Sequence, residues 1–348
     1  MRFTALLALL AASGALASEP ARSAFASLPA DPSPPELVRG MHYWMSNEDH
    51  LHLFHPEVKD KGGLYIGVGT DQNYLLGAWA RAEALVLMDF DQSIVDLHRV
   101  YRVIFLAAET PEEFLRLWQL KSRPEVRRLI QEGYADKKER SGALQAFAVA
   151  RWPVERRLLR VVEQMKKAAL PSFLTDAAEY THVRRLYQES KVFMVRGDLT
   201  AKRTLRAVGQ AATQEGMTVG VLYLSNAEQY FPYGAQYRAN IRGLPFSGSG
   251  VVLRTSGERG VKRVKGTYYH YNTQPGANLA AWLDDDAKTP NVRRMLRATT
   301  DSDAVRGLSR LELGPGEARE LANQKLLAKR QVKKPRSPSR PTRAEAVQ

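Results

Sequence analysis

Leu64-Tyr65-Ile66-Gly67-Val68 is an unbroken apolar run that ends in a glycine loop, Gly67-Val68-Gly69. Helical spacing follows over about 71–83, and then a second apolar run, Ala84-Leu85-Val86-Leu87-Met88, stops at Asp89. Strands without polar alternation are buried on both faces, and a strand, helix, strand, helix order builds a parallel sheet covered on both sides. The expectation is an α/β fold with a Rossmann-like, mostly parallel sheet. A helix over 92–106, a strand over 191–195, a helix over 201–214 and a buried strand over 218–224 continue it. Two late β segments, 250–255 and 266–271, carry Gly257 and Gly260 between them and predict a hairpin-like finish.

The rhythm breaks between about 108 and 190. Thr110-Pro111-Glu112-Glu113 starts a helix with proline in its first turn, and Val154, Leu158, Val161, Val162, Met165 and Ala169 keep helical spacing. This stretch predicts a helical insertion with Arg and Lys on its outer face. Leu37, Met41, Trp44 and Met45 predict a short packing helix over 36–47.

The ends read differently. Arg2, the apolar run over 4–12 and Ala15-Leu16-Ala17 predict a signal peptide over 1–17, so the expected location is the periplasm or the cell exterior. The alternative, a retained anchor, needs about 20 apolar residues, more than this run offers. No later stretch is apolar enough to span a bilayer. Residues 18–35, rich in Pro, Ala and Ser, read as a linker, and 36–320 as the folded domain. The chain lacks cysteine, which removes disulfides, thiolate ligands and lipidation at cysteine. Half of the net charge of +14 sits in the tail, where eight Lys and Arg from Lys325 to Arg343 face Glu345 alone. Residues 321–348 therefore predict a disordered basic tail, either merely solvating or a tether to an anionic surface such as lipid headgroups.

In open α/β sheets ligands bind beyond the carboxyl ends of the strands. Gly67 and Gly69 let backbone approach a ligand, and Asp71 and Asn73 open the next helix, whose free N–H groups suit an anion. A dinucleotide fingerprint would need a third glycine where Gln72 stands, which disfavours NAD. Asp89, about 20 residues further on, stands where an acid accepts ribose hydroxyls; the alternative is an N-cap. Asp198, past the third strand, could bond an adenine amino group or cap its own loop. Ser225, Asn226 and Tyr230, past the fourth, could orient an acceptor as catalytic residues, or cap and pack. His50, His52 and His55 match no zinc spacing and read as a solvated loop, and His270 as a core or rim histidine. No metal site is expected, and no nucleophile elbow is present.

Gly67-Val68-Gly69 with Gln72-Asn73-Tyr74, the stretch from Tyr223 to Tyr230 (YLSNAEQY) and His270-Tyr271-Asn272-Thr273-Gln274 resemble a bacterial family of exported proteins and lipoproteins without an assigned activity. Spirochaete-type lipoproteins belong to it, and its fold is that of class I methyltransferases dependent on S-adenosylmethionine (SAM). The resemblance covers about residues 36–290. It implies a seven-stranded sheet, with Gly67 and Gly69 at the methionine end of SAM, Asp89 at the ribose and Asp198 near adenine. Two positions depart from class I enzymes: Tyr65 stands where many carry an acid, and Ser225-Asn226-Ala227-Glu228 replaces an NPPY-like motif. Methyl transfer needs positioned partners rather than a covalent nucleophile. The expectations are an exported SAM-binding methyltransferase-like protein with an unknown acceptor or, alternatively, a non-catalytic envelope protein binding through its insertion and tail. A periplasmic enzyme using the cleft on another nucleotide-like or sugar substrate is a third. Export and the lack of a basic-aromatic stripe argue against a nucleic-acid partner.

Overall fold

The computed structural model describes residues 23–33, 42–257, 263–284, 291–298 and 307–332. The signal peptide expected over 1–17 and residues 333–348 of the expected tail lie outside the described residues. Seven strands form one sheet: β1 (Leu64–Val68), β2 (Ala84–Asp89), β3 (Val192–Arg196), β4 (Val219–Tyr223), β5 (Phe246–Ser256), β6 (His270–Pro275) and β7 (Leu308–Arg310). Their order is β3-β2-β1-β4-β5-β6-β7. From β3 through β5 every pairing is parallel; β6 runs antiparallel to β5, and β7 pairs parallel with β6. The chain moves outward from β1 to β3 and then reverses through β4, which puts a topological switch point between β1 and β4.

The period-2 alternation of strands divides the core into two layers. Tyr65, Leu85, Leu87, Tyr223 and Leu253 face one layer, and Ile66, Val86, Met88, Leu222 and Val252 the other. Helices α1 (His55–Val58), α2 (Gln72–Trp79) and α3 (Gln92–Ala107) precede the insertion. It comprises α4 (Pro111–Trp118), α5 (Arg123–Gly133), α6 (Lys137–Ala168) and α7 (Ala177–Gln188) and covers the first layer. Its helix starts are set by local side chains: Thr110, Asp136 and Asp176 accept backbone N–H groups of the first turns of α4, α6 and α7. The second layer lies under α8 (Thr204–Gln214), α9 (Ala235–Arg242), α10 (Gly276–Asp284), α11 (Val292–Ala298) and α12 (Pro315–Val332). No helix among the described residues is long and apolar enough to cross a membrane.

Four expectations are corrected. The helix expected over 36–47 is absent from its described part: His42 to Asn47 has no helical turn, because the His42 ring and the Ser46 N–H bond to Asp91 and Asp71 of the sheet edge instead. The linker of 18–35 is packed over 23–33, where Phe25 stacks on Phe193 and Asp31 is buried. Strand β6 begins at His270, since Gly266 at φ +84° turns the chain first. The tail is helical as far as Val332, because the helix opened by Pro315 runs on through Leu326 and Leu327.

Candidate functional site

The described parts of the N-terminal segment, 23–33 and 42–50, bond along the sheet edge where the parallel strands end, in the spatial order of the strands. At β3, the Asp31 carboxylate accepts the N–H groups of Asp198 at 3.1 Å and Arg203 at 3.1 Å. Past β2, His42 Nδ1 lies 2.6 Å from Asp91 Oδ2. Past β1, the Ser46 N–H donates to Asp71 Oδ1 at 2.8 Å. Glu48 then enters the switch point. Its Oε1 accepts the hydroxyls of Tyr223 at 2.6 Å, Ser225 at 2.7 Å and Thr255 at 2.9 Å, while Ser46 Oγ donates to Oε2. At β6, the His50 N–H donates to Tyr271 Oη at 2.8 Å. Arg157 of α6, fully buried, locks this strap from above: Nε donates to Asp71 Oδ2 at 2.8 Å and Nη2 to the Glu48 carbonyl at 3.0 Å.

Beneath the strap the glycine loop is filled by its own helix. Asn73, fully buried, accepts from Tyr65 Oη at 2.9 Å and donates to the carbonyls of Val68 and Thr70. A Cβ at Gly67 would stand 2.0 Å from Asn73 Oδ1, and one at Gly69, whose φ is +88°, 2.4 Å from Gln72 Nε2. Glycine at these positions thus admits side chains of α2 rather than free space. The loop is also held from the insertion side. Because the Gly69 carbonyl can only accept, His98 Nε2 carries the proton and donates to it at 2.8 Å. His98 Nδ1 then accepts from Tyr74 Oη at 2.7 Å, and burial, which lowers His98 to about 4, keeps the ring neutral.

Gly67→Ala is expected to destabilise the protein by about 1–3 kcal/mol, as overpacking does. Asn73→Ala in the same chain should relieve part of that loss in thermal melts. A cost-free Gly67→Ala would mean that Asn73 swings out without resistance and that the loop is not filled.

The remaining candidates occupy the rim. The Asp89 side chain keeps some exposure, but its carboxyl is enclosed, and desolvation pushes it up to about 7 against the Asp91 amide, which it accepts at 2.9 Å. The charge of Asp91 raises it further, and the Gly69 amide lowers it. The N-cap of α3 is Asp91, not Asp89. Phe90, beside it, is 42% exposed. Asp198 Oδ1 accepts from the Thr200 N–H at 2.7 Å and the Thr200 hydroxyl at 2.8 Å, so the carboxylate is turned into its own loop. Ser225, at φ +50°, is spent on Glu48. Asn226 Nδ2 donates to Tyr230 Oη at 3.2 Å and Tyr269 Oη at 3.1 Å, leaving the Tyr230 ring in solvent. The structure thus brings Gly67, Gly69, Asp71, Asn73 and Ser225 together under the strap, and sets Asp89, Asp198 and Tyr230 around its margin.

Several residues of the two late motifs are joined in one network. Glu228 is buried and receives Tyr233, Tyr237 and Arg254 Nε, and Arg254 Nη1 donates to Gln274 Oε1 at 2.7 Å. Asn272 donates to the Arg254 carbonyl. These motif residues hold β4, β5 and β6 in place. The histidine segment is helical rather than a loop: His50 precedes the 3-10 turn Leu51–Phe54 and His55 opens α1, with burial lowering all three histidines. Among the described residues no three metal-ligating side chains converge. His270 is fully buried, its Nε2 2.8 Å from Ser309 Oγ. Sequence reasoning missed Glu48, Arg157 and Arg254, since nothing local marks an isolated Glu or Arg as buried.

Fold and crevice define a Rossmann-like α/β protein whose ligand edge is crossed by its own N-terminal segment. The chain belongs to the family described as a domain of unknown function, DUF7790, whose model matches residues 43–312. Among solved structures, the rRNA methyltransferase AviRa from Streptomyces viridochromogenes is similar at 14% identity, over 62% of this chain and 76% of that one, with a TM-score of 0.27. No functionally curated protein matches the sequence significantly.

Proposed function

We propose that this chain is a non-catalytic, exported binding protein that keeps a methyltransferase-like Rossmann scaffold and closes the former cofactor crevice with its own strap. The observation that carries this reading is Glu48, buried at the switch point and accepting four hydroxyls from Ser46, Tyr223, Ser225 and Thr255. A methionine moiety at the glycine loop would have to displace Asn73, Gln72 and the strap, each held by hydrogen bonds that water or ligand must replace. The signal peptide expected over 1–17 is in keeping with a place in the envelope or outside the cell, away from the compartment where SAM is made.

A second reading is favoured by the Asp89 margin. The Asp89 carboxyl beside the Gly69 amide, with Phe90 exposed next to it, suits a ribose and a stacked base. On that reading SAM binds once the strap lifts, with Asp89 on the ribose and Asp198 turned toward adenine.

Calorimetric titration of the folded protein with SAM and its demethylated product separates the two. The expected result is no saturable heat for the natural sequence or for Glu48→Ala. Saturable binding that Asp89→Ala abolishes would overturn the non-catalytic reading, and binding gained only in Glu48→Ala would establish the strap as a gate over a working pocket.

A further inference from the structure

Helix α6 is 32 residues long, packs against α3, α4 and α5, and buries Ala143, Ala146, Phe147, Ala150, Val154, Leu158 and Val161 along one side. Its opposite side carries a second apolar line. Val149, Trp152 and Leu159 are 60%, 59% and 52% exposed, and with Arg156 they fall at spacings of three and four along one seam. Large apolar side chains so aligned on an outer face mark a contact surface rather than scattered exposure. The seam is flanked by cations: Arg156 lies over the Trp152 ring at 5.2 Å, and Arg160, Lys166 and Lys167 follow on exposed positions. Arg160 approaches Asp49 at 3.5 Å, whereas Arg156, Lys166 and Lys167 form no ion pair among the described residues. The one exposed acid within this stretch is Glu163, since Glu155 is bound to Arg151 at 2.8 Å.

We infer that the exposed face of α6 docks on an anionic lipid bilayer. Tryptophan and leucine enter the boundary between headgroups and acyl chains, and flanking Arg and Lys meet anionic headgroups, the combination that holds amphipathic helices at an interface. Charge decides against a second copy of the chain, because pairing two such faces would oppose Arg156, Lys166 and Lys167 with their equals and only Glu163 to offset them. It also decides the geometry: Arg156, stacked along Trp152, extends its charge at the depth where phosphates lie while the indole sits below. Nucleic acid shares the charge but gives Val149 and Leu159 nothing apolar to meet. The inference extends the reading of the chain as a binding protein by naming its surface, yet a cofactor-loaded enzyme could dock in the same way, so the titration above and the test below fail separately.

The test uses the full chain with vesicles of phosphatidylcholine alone or mixed with phosphatidylglycerol. Of the five tryptophans, Trp79, Trp118 and Trp282 are buried and Trp44 is half-buried, so Trp152 reports the interface through its emission. The expected result is co-sedimentation with the mixed vesicles only, weakened by salt, with a blue shift of the emission. Trp152→Ala should remove the shift, and Arg156→Glu/Lys166→Glu should weaken binding by roughly tenfold or more, with circular dichroism unchanged in each variant. Binding that both variants retain would assign it to the leader or tail and overturn the inference. So would equal binding to neutral vesicles, a dimer that Arg156→Glu disrupts, or RNA binding lost in the same variants without vesicle binding.

Discussion

Arg157→Met should unfold in urea with a free energy about 3–5 kcal/mol below that of the natural sequence, the penalty for leaving a buried carboxylate without its cation. The Arg157 side chain is fully buried and Asp71 nearly so, and the guanidinium also supplies the hydrogen bond to the Glu48 carbonyl. Its loss therefore strips one partner from Asp71 and one from the strap. Asp71→Asn in the same chain should return part of the loss, with a coupling of about 0.5–3 kcal/mol between the sites. Amide exchange gives the local reading. The N–H groups of Ser46, Glu48 and His50 all donate to side chains, and they should lose protection before those of β1 and β4. A loss below about 1 kcal/mol, the scale of an exposed ion pair, would show that the strap does not depend on α6.

The second large effect is expected at Arg254. Replacing it by methionine leaves Glu228 in a dry interior with only the hydroxyls of Tyr233 and Tyr237, and should also cost about 3–5 kcal/mol. Glu228→Gln added to that variant removes the uncompensated charge and should recover part of the stability, because a neutral pair of similar shape is far cheaper to bury. The measurement is a four-corner comparison of unfolding midpoints. Additive losses would mean that the two side chains do not act as a pair. Since Arg254 also reaches Gln274, the same change should loosen β6, visible as faster exchange in the stretch from His270 to Pro275.

The sequence makes the sheet legible and the crevice only half so. Strand β1, the glycine loop and β2 ending at Asp89 are local patterns, and each strand is apolar because it is buried on both faces, so periodicity alone places them. The insertion is likewise visible, since Val154, Leu158, Val161 and Met165 keep one helical face. The strap is not visible, because it is built from single polar residues whose partners are distant: Glu48 meets Thr255 across 207 positions and Ser46 meets Asp71 across 25. No propensity marks such contacts, and the apolar residues around Trp44 imitate a helix. Gly67 and Gly69 illustrate the other limit. Their presence correctly signals a close approach, but the approaching atoms are Asn73 and Gln72, and a sequence does not say whether a glycine makes room for a ligand or for a neighbour. The motif residues Glu228 and Gln274 are distinctive in the sequence, yet their chemistry is spent on each other through Arg254.

The strap carries a consequence for the order in which the chain assembles. Its anchors run from Asp31 at β3 to His50 at β6, and the last of them, Tyr271, is made 221 residues after its partner. That contact can form only once β6 is in place, whereas His42 and Ser46 meet partners 49 and 25 residues away. Contacts of the sequence separation that His50 and Glu48 span are of the kind that slow folding. A small molecule reaching the folded crevice would have to unseat Glu48 from four hydroxyls at once.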